Sequence, residues 1–268
     1  MKIGRKLLST PEPKYQSFHR CKNIATGPVF IIASGASAKE FPLVDFQKVP
    51  MIVVNGAISM FLGTSIRPYF YVCTDSGFFV QQPELFSAAL ELSQNVVLRE
   101  DYVLHNVPIP KGELYVLKKA AKAKWADLFS MASTNLVRRS KFHKGRSRSI
   151  GFSKNLSEGY FDARTVAYLA LQLAYHLGFS KVFMVGVDLC PASGRFYETA
   201  DAYKSPCLLD DHLHTRIYPS FQLMANKVVN AHFLVYNLSR TSKLPESLIP
   251  YKSIEEVRAL VLCSRIKT

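Results

Sequence analysis

The sequence predicts one α/β domain built on a doubly wound, mostly parallel β-sheet. Short apolar runs rich in Val, Ile and Phe recur along the chain, as in strands that are buried on both faces of a parallel sheet. Helical patterns lie between several of these runs, and parallel strands need such crossover connections. A chain of 268 residues with 48% apolar side chains is long enough for one large core of this kind.

The predicted strands begin after an N-terminal arm. Residues 1–27 are polar, basic and contain proline, so we assign them to the arm and residues 28–268 to the domain. Each later apolar run ends in a small or polar residue that breaks the strand pattern. The predicted strands are 28–33, 49–54, 69–73, 95–100, 112–117, 180–189 and 233–239.

The most pronounced helix pattern lies at residues 161–179. Apolar side chains recur there at helical spacing on one face, and Asp162 is placed to cap the N-terminus. The residues of that face are Val166, Leu169, Leu173 and Leu177. Two further helices are predicted at 218–232 and 253–261, before and after the last strand.

Composition excludes several classes of protein. The high apolar content excludes intrinsic disorder, and the longest apolar runs fall far short of the roughly 20 residues of a membrane-spanning helix. The N-terminal residues lack the apolar stretch of a secretory signal, so we expect a cytoplasmic protein. Five cysteines show no metal-ligand spacing, so we expect reduced thiols and no metal cofactor.

The net charge of +14 is concentrated in one segment. Residues 118–154 hold 11 Lys or Arg and a single acid, Asp127, and we interpret them as a basic insertion in the domain. A field of this strength attracts an anionic partner, such as nucleic acid, an anionic lipid surface or a phosphorylated substrate. A solvated loop is the simpler alternative for such a run of charge.

A Rossmann-like sheet binds its ligands outside the carboxyl ends of its strands. Glycines and polar residues stand at five of the predicted strand ends, so the active site is expected among them. They are Ser34 and Gly35, Asn55 and Gly56, Thr74 and Asp75, Gly186 and Asp188, and Asn237 and Ser239.

Two of these strand ends predict contacts to a nucleotide. Gly35 would let the backbone of the turn approach a phosphate, to which Ser34 and Ser37 could donate hydrogen bonds; the alternative is a plain strand-to-helix turn. Asn55 carries a carboxamide that both donates and accepts, as recognition of a base or a sugar hydroxyl requires. Its alternative is an ordinary Asn-Gly turn with Gly56.

The loop at 190–209 is long enough to form a lid over this edge of the sheet. It contains Arg195, Tyr197 and Tyr203, whose guanidinium and phenol groups could stabilise a departing phosphate. Asp188 precedes the loop at the end of an apolar strand. Its carboxylate either takes part in catalysis or orients a neighbouring loop, because a buried carboxylate must find donors.

The densest group of ionisable side chains follows the lid, with His212 and His214 beside Asp210 and Asp211. Such histidines are candidates for a general base. Metal binding is the rival use, which we discount because histidines at i and i+2 do not share a helix face. In an extended stretch both would point to one side. We favour His214, which lies farther from the two carboxylates, with Asp188 as the next candidate base.

Several segments together resemble the WaaZ-type lipopolysaccharide core proteins, which are assigned to the addition of Kdo (3-deoxy-manno-octulosonic acid) to the inner core. More distantly, the same order of motifs is similar to the small bacterial sialyltransferases that use CMP-sialic acid without a metal. The resemblance spans residues 28–257. It is carried by SGAS at 34–37, VVNG at 53–56, residues 159–179 with the strand 182–189, SGRFY at 193–197, and residues 236–250.

The resemblance implies a role for individual residues. The first turn of the sialyltransferases carries an Asn where this chain has Ser34. The other motif positions fall on Asn55 for the nucleotide, Thr165 at the start of the long helix, Gly186 and Asp188 in Gly-x-Asp, Tyr197 for the leaving phosphate, and His212 or His214 for the base.

The resemblance also implies the reaction and its partners. Kdo would pass from CMP-Kdo, a co-substrate, to the lipid A core by an inverting, metal-independent reaction with a histidine base. The basic insertion would hold the enzyme on the inner face of the inner membrane, where anionic lipids lie. We expect no nucleic-acid partner. The alternatives are a CMP-sialic-acid sialyltransferase, a nucleotide-dependent phosphoryl or diphosphoryl transferase, and a basic nucleic-acid-binding module.

Overall fold

The computed structural model of the chain describes residues 15–75, 77–104, 107–122, 134–139, 149–190, 194–198 and 209–265. Ten strands are present in these ranges: β1 (Tyr15–Gln16), β2 (Pro28–Ile32), β3 (Met51–Val54), β4 (Phe70–Cys73), β5 (Asn95–Arg99), β6 (Glu113–Leu117), β7 (Leu136–Arg138), β8 (Gly151–Ser153), β9 (Lys181–Val185) and β10 (Leu234–Asn237). Eight of them form one sheet in the order β1-β6-β5-β4-β3-β2-β9-β10, in which every neighbouring pair is parallel. The predicted Rossmann-like fold is therefore confirmed, and β7 and β8 form a separate antiparallel pair.

Helices cover both faces of the sheet, as the doubly wound prediction requires. The α-helices are α1 (Phe78–Gln81), α2 (Pro83–Leu92), α3 (Glu100–Leu104), α4 (Val166–Leu177), α5 (Leu209–His212), α6 (Tyr218–Lys227) and α7 (Ile254–Arg265). One core lies between the sheet and the helices α4 and α6. The other lies on the opposite face, beneath α2 and α7.

The long predicted helix is present as α4, although its N-terminus differs in detail. Thr165 is the N-cap residue, and its side chain makes no capping hydrogen bond. Asp162, the predicted cap, instead accepts a hydrogen bond from the backbone of Arg164 at 2.8 Å, in the loop before the helix. The helix ends at Gly178, which adopts a left-handed φ of 100° that glycine allows at no steric cost.

Residues 15–27 pack on the domain, which differs from the arm that the sequence predicts there. β1 pairs with β6 at the end of the sheet. Phe18 and Cys21, in a short 3₁₀ helix after β1, are buried in the core below α4. The N-terminal residues that the structure describes therefore contribute to the stability of the sheet.

The basic insertion and the lid are described only in part. Within 118–154, residues 123–133 and 140–148 lie outside the described residues, and the described portions include β7 and β8. Residues 191–193 and 199–208 of the lid, with Tyr203, also lie outside them. In the ranges that the structure does describe, no helix has the length and apolar character of a membrane span.

Candidate active site

The candidate site lies where the chain changes direction across the sheet. The chain leaves β2 toward β3 on one side, whereas β9 leads to β10 on the other. A crevice opens outside the carboxyl ends of the strands at such a switch point, and ligands bind there. The helix α4 packs on β2, β3, β4 and β9 and runs back antiparallel to the strands, so its first turn, at Thr165, lies at this same edge.

Asp188 holds the two strand ends of the switch point together. The residue is only 3% exposed, and its Oδ2 accepts a hydrogen bond from the backbone N–H of Ser37 at 3.0 Å. The Ser37 hydroxyl donates to the other carboxylate oxygen. Both oxygens are thus engaged, so the orienting role that the sequence left open fits Asp188 better than a role as base.

Gly35 and Gly186 allow this close approach of two loops. The Gly35 N–H donates to the Gly186 carbonyl at 3.0 Å, and a Cβ on Gly35 would lie 2.5 Å from that oxygen. Gly186 has a φ of 68°, and a Cβ there would lie 2.3 Å from the carbonyl oxygen of Ala33. Gly35 therefore allows the loop after β2 to pack closely against the end of β9, whereas the sequence predicts that Gly35 makes room for a phosphate.

Asn55 lies at the carboxyl end of β3 with an amide oxygen that is unused. The residue adopts a left-handed φ of 47° at the start of a 3₁₀ helix, Asn55–Phe61. Its Oδ1 is buried and has no hydrogen-bond partner among the described residues. A buried acceptor without a donor costs about 1–3 kcal/mol, so this oxygen favours a ligand that donates a hydrogen bond.

Tyr197 covers the residue next to Asn55. Its ring rests on Gly56, where a Cβ would fall 2.0 Å from the ring carbon Cε1, and it meets Phe78 edge to face at 6.5 Å. Burial raises the pKa of Tyr197 to about 12, and the positive charge of Arg195 opposes that rise. The phenol therefore carries its proton throughout the neutral range and can donate it in a hydrogen bond.

The described part of the lid is attached through its backbone to the loop at residues 34–37, which follows β2. Arg195 forms an antiparallel bridge with Gly35, and the Phe196 N–H donates to the Ser34 carbonyl at 3.1 Å. The Arg195 guanidinium contacts the Glu198 carboxylate at 3.0 Å. The structure therefore brings Ser34, Gly35, Arg195 and Tyr197 to one side of the switch point.

The two candidate histidines lie on helical turns, so the prediction of an extended stretch is wrong. His212 ends α5, and His214 lies in the π-helical turn Leu213–Ile217 that leads into α6. Residues two apart on a helix point in different directions, and His214 is exposed whereas His212 is half-buried. The two side chains do not face one cleft together.

Arg216 indicates which histidine faces the site. Its guanidinium donates to the Asp162 carbonyl at 2.8 and 2.9 Å, which fixes the π-helical turn beside the loop that enters α4 at Thr165. A residue four positions earlier lies on the same face of a helix, and that residue is His212. The geometry thus favours His212 over His214, the reverse of the sequence-based preference.

A second group of charged side chains lies at this edge, at positions that the sequence motifs do not single out. Arg99 ends β5, and its guanidinium contacts the Thr74 carbonyl at 3.1 Å and the Asp101 carboxylate at 2.7 Å. Lys119, just after β6, lies 3.6 Å from the Asp162 carboxylate. An arginine that closes an apolar strand was the available signal. No group of three or more His, Cys, Asp or Glu that could hold a metal is found within the described ranges.

Fold and site together define a Rossmann-like α/β protein whose candidate site is built at the topological switch point of its sheet. The model of the family described as "3-deoxy-D-manno-octulosonic acid transferase WaaZ" matches residues 16–255. The chain therefore belongs to this family of Kdo transferases, as the sequence resemblance predicts.

Two curated relatives carry the description "Probable 3-deoxy-manno-octulosonic acid transferase". The Escherichia coli protein is 26% identical over 253 residues, which cover 89% of this chain and 87% of the relative. The Salmonella typhimurium protein is also 26% identical, over 88% of this chain and 90% of the relative.

Two solved glycosyltransferase structures share part of the architecture. The sialyltransferase CST-II in complex with CMP is 15% identical, with a TM-score of 0.44 over 84% of this chain and 85% of that chain. The MAf glycosyltransferase from Magnetospirillum magneticum is 14% identical, with a TM-score of 0.46 over 94% of this chain and 39% of that chain.

Proposed function

We propose that this protein transfers Kdo from CMP-Kdo to the inner core of lipopolysaccharide. Membership of the Kdo transferase family supports Kdo as the sugar that is transferred. The proposal that the donor is a nucleotide sugar rests on Asn55 at the carboxyl end of β3, whose Oδ1 is buried and has no hydrogen-bond partner among the described residues. An acceptor at this position suits a nucleotide group that donates, such as the amino group of cytosine or a ribose hydroxyl.

The leaving CMP is stabilised by the lid in this proposal. Tyr197 lies against Gly56, beside Asn55, and its protonated phenol donates a hydrogen bond to the phosphate as the glycosidic C–O bond breaks. Arg195, whose backbone bridges to Gly35, holds its guanidinium in an ion pair with Glu198 and has further N–H groups that can donate to the phosphate on the same side. These two groups supply the stabilisation for which other transferases use a metal, so chelators should leave turnover unchanged.

The acceptor hydroxyl attacks the anomeric carbon from the face opposite the departing phosphate, so the configuration inverts. His212 takes the proton of that hydroxyl, with His214 as the second candidate. Thr165, half-buried at the first turn of α4, offers a hydroxyl to the donor. Asp188 takes no direct part in the reaction. It positions the loop at residues 34–37 against the end of β9 through its hydrogen bonds with Ser37.

The lipid A core acceptor lies at the membrane surface, and the basic insertion brings the enzyme there in this proposal. Residues 118–154 carry 11 Lys or Arg against one acid. A surface of anionic lipid attracts such a segment. The protein would thus work as a peripheral enzyme on the inner face of the inner membrane.

Replacement of Asn55 tests the nucleotide assignment. We expect Asn55→Ala to weaken CMP binding by about 1–3 kcal/mol, because the ligand then loses a hydrogen bond made in a buried site. Isothermal titration with CMP measures the change. The control is Asn95→Ala, since Asn95 begins β5 at the opposite edge of the sheet and its amide donates to the Tyr69 carbonyl at 2.9 Å.

Two further measurements on the wild-type protein distinguish CMP-Kdo from other nucleotide donors. Wild-type protein should be stabilised against heat by CMP and not by GTP or ATP, and transfer should occur with CMP-Kdo and not with CMP-sialic acid. If Asn55→Ala and the wild type bind CMP with equal affinity, Asn55 is a residue of an ordinary turn and does not bind the nucleotide. Stabilisation by ATP alone would replace the proposal with a phosphoryl transferase.

A further inference from the structure

The carboxyl ends of β5 and β6 carry charged and aromatic side chains that the proposed donor site does not use. We define the β5–β6 edge cluster as Arg99, Asp101, Lys119, Tyr160 and Asp162. Arg99 and Asp101 form one ion pair at 2.7 Å, with side chains 33% and 32% exposed. Lys119 and Asp162 form the other at 3.6 Å, and the Lys119 side chain is 63% exposed.

Asp101 has hydrogen-bonding capacity left over. Its Oδ2 is bound by Arg99, whereas its Oδ1 is buried and has no hydrogen-bond partner among the described residues. A carboxylate oxygen in that state favours a donor such as a sugar hydroxyl. It is one of five buried side-chain oxygens without a partner among the described residues; the others are Oδ1 of Asn55 and the hydroxyls of Tyr71, Ser93 and Ser157. Of these, Asn55 and Asp101 follow the carboxyl end of a strand of the eight-stranded sheet.

Tyr160 links the cluster to the entry of α4. Its segment pairs with the chain beyond β6, where the Tyr160 N–H donates to the Lys118 carbonyl at 2.9 Å and the Tyr160 carbonyl accepts from Ala120 at 2.9 Å. Burial raises the pKa of its phenol to about 12, and the charges of Asp162, Arg99 and Asp101 lie close enough to act on it. Arg99 also stands opposite Leu117 in the register of β5 with β6, two residues before Lys119, so the two ion pairs and the phenol lie together at this edge.

The position of the cluster suits a second sugar. Arg99 lies two residues after Val97, whose side chain packs in the core beneath α4, so both side chains share that face of β5. Asn55 directly follows β3, which lies two strands away from β5. Two strand spacings amount to about 10 Å, which leaves room for a donor sugar between the nucleotide site and the cluster.

We propose that the β5–β6 edge cluster is the acceptor subsite and that it binds a sugar carrying an acidic group. Asp101 accepts a hydrogen bond from an acceptor hydroxyl, and Arg99 and Lys119 bind the acidic group, whether carboxylate or phosphate. This inference rests on the proposed function, because it assigns the second substrate of the same reaction.

Two substitutions test the subsite. Asp101→Asn removes the negative charge and replaces one of the two acceptor oxygens by an amide donor, with little change of shape. Lys119→Gln removes one exposed charge, so it should fold even if the first variant does not. Each is expected to weaken binding of deacylated inner-core oligosaccharide about tenfold or more in the presence of saturating CMP, since charged hydrogen bonds are lost. CMP affinity should stay within twofold of the wild type.

Matched controls come from other faces of the molecule. Lys111 pairs with Glu91 at the amino-terminal edge of the sheet and is 67% exposed, so Lys111→Gln repeats the charge change of Lys119→Gln elsewhere. Asp45 pairs with Arg258 on the far face, so Asp45→Asn matches Asp101→Asn. Neither control should alter oligosaccharide binding.

The outcomes separate this proposal from the donor assignment. Unchanged oligosaccharide affinity in both test variants, or no binding by the wild type with CMP, would overturn the acceptor subsite. Loss of CMP affinity in these variants would also overturn it and assign the cluster to the nucleotide. Absence of CMP binding by the wild type would instead reject the donor assignment. Oligosaccharides whose carboxylates are reduced, or whose phosphates are removed, show which acidic group Lys119 binds. If both bind as tightly as the native oligosaccharide, the proposal that the subsite binds an acidic group is wrong.

Discussion

Asn55 and Asp101 share a feature that is unusual in a folded chain. Each has a buried side-chain oxygen without a hydrogen-bond donor among the described residues, although folding normally satisfies such atoms. Both lie at the carboxyl edge of the sheet, after β3 and β5. Unsatisfied acceptors at two points of one edge are what a site for a hydroxyl-rich ligand requires, because each accepts a donor when the ligand binds.

At this scale we predict different effects for the two histidines. His212→Ala should lower kcat about 100-fold to 10,000-fold, the usual contribution of a general base, while CMP affinity stays near the wild-type value. His214→Ala should have little effect, because the exposed His214 points away from the Arg216 face of its helix. Steady-state rates with CMP-Kdo measure both, with the exposed His232→Ala as control.

Near-normal rates in both variants would reject a histidine base. A large loss in His214→Ala alone would restore the preference that the sequence supports. The distinction depends on the π-helical turn Leu213–Ile217, and no residue type in that segment predicts such a turn.

At the scale of elements, the strands and α4 could be predicted because local patterns determine them. Continuous runs of β-branched residues specify buried parallel strands, and the apolar face of α4 repeats at helical spacing. The contact between Ser37 and Asp188 joins residues 151 positions apart, so no local pattern reveals it. For the same reason Gly35 could be recognised as a turn residue but not as a partner of Gly186.

α4 also contains a titratable group in the core, His176. Its side chain is fully buried, its Nδ1 accepts a hydrogen bond from the Leu156 N–H at 3.2 Å, and its Nε2 donates to the Phe18 carbonyl at 2.8 Å. Burial is the main cause that lowers the pKa of His176 from 6.5 to about 4. The neutral imidazole is thus part of the link between α4 and the segment after β1.

Acid should therefore destabilise the protein through His176. The unfolded chain binds a proton below pH 6.5 and the folded chain only near pH 4, so stability is complete above 6.5 and falls as pH drops from 6.5 to 4. The loss reaches about 3 kcal/mol. Denaturant unfolding at a series of pH values measures it, and the curve of His176→Gln should be flatter across this interval.

The exposed His232 supplies the comparison for that experiment. His232→Gln should keep the full pH dependence of the wild type. An identical slope in His176→Gln and the wild type would mean that carboxylates, rather than His176, account for the acid sensitivity.

At the scale of the whole molecule, the uneven charge provides a test of the proposed binding to a membrane surface. Replacement of Lys141, Lys144, Arg146 and Arg148 by Gln should reduce binding to anionic vesicles, since each basic residue near such a surface contributes about 1 kcal/mol. Arg138 is left unchanged, because its guanidinium donates to the Ala121 carbonyl at 2.6 Å and lies 4.9 Å from the centre of the Phe161 ring. Co-sedimentation at constant salt measures the effect.

The control variant removes the same total charge from other surfaces. Lys39, Lys48, Lys111 and Lys227 are exposed, and their replacement by Gln should weaken vesicle binding much less. Equal losses in the two variants would show that net charge, and not the basic insertion, determines attraction to the membrane.

β1 pairs with only two residues of β6, Leu114 and Tyr115, and it is the terminal strand at that side of the sheet. A chain shortened to begin at residue 28 would lose β1 together with Phe18 and Cys21, which are buried in the core. β6 would then be an open edge whose backbone groups can pair with a strand of another molecule. Truncated forms should therefore aggregate, and a deletion made for expression or crystallisation should stop before Tyr15.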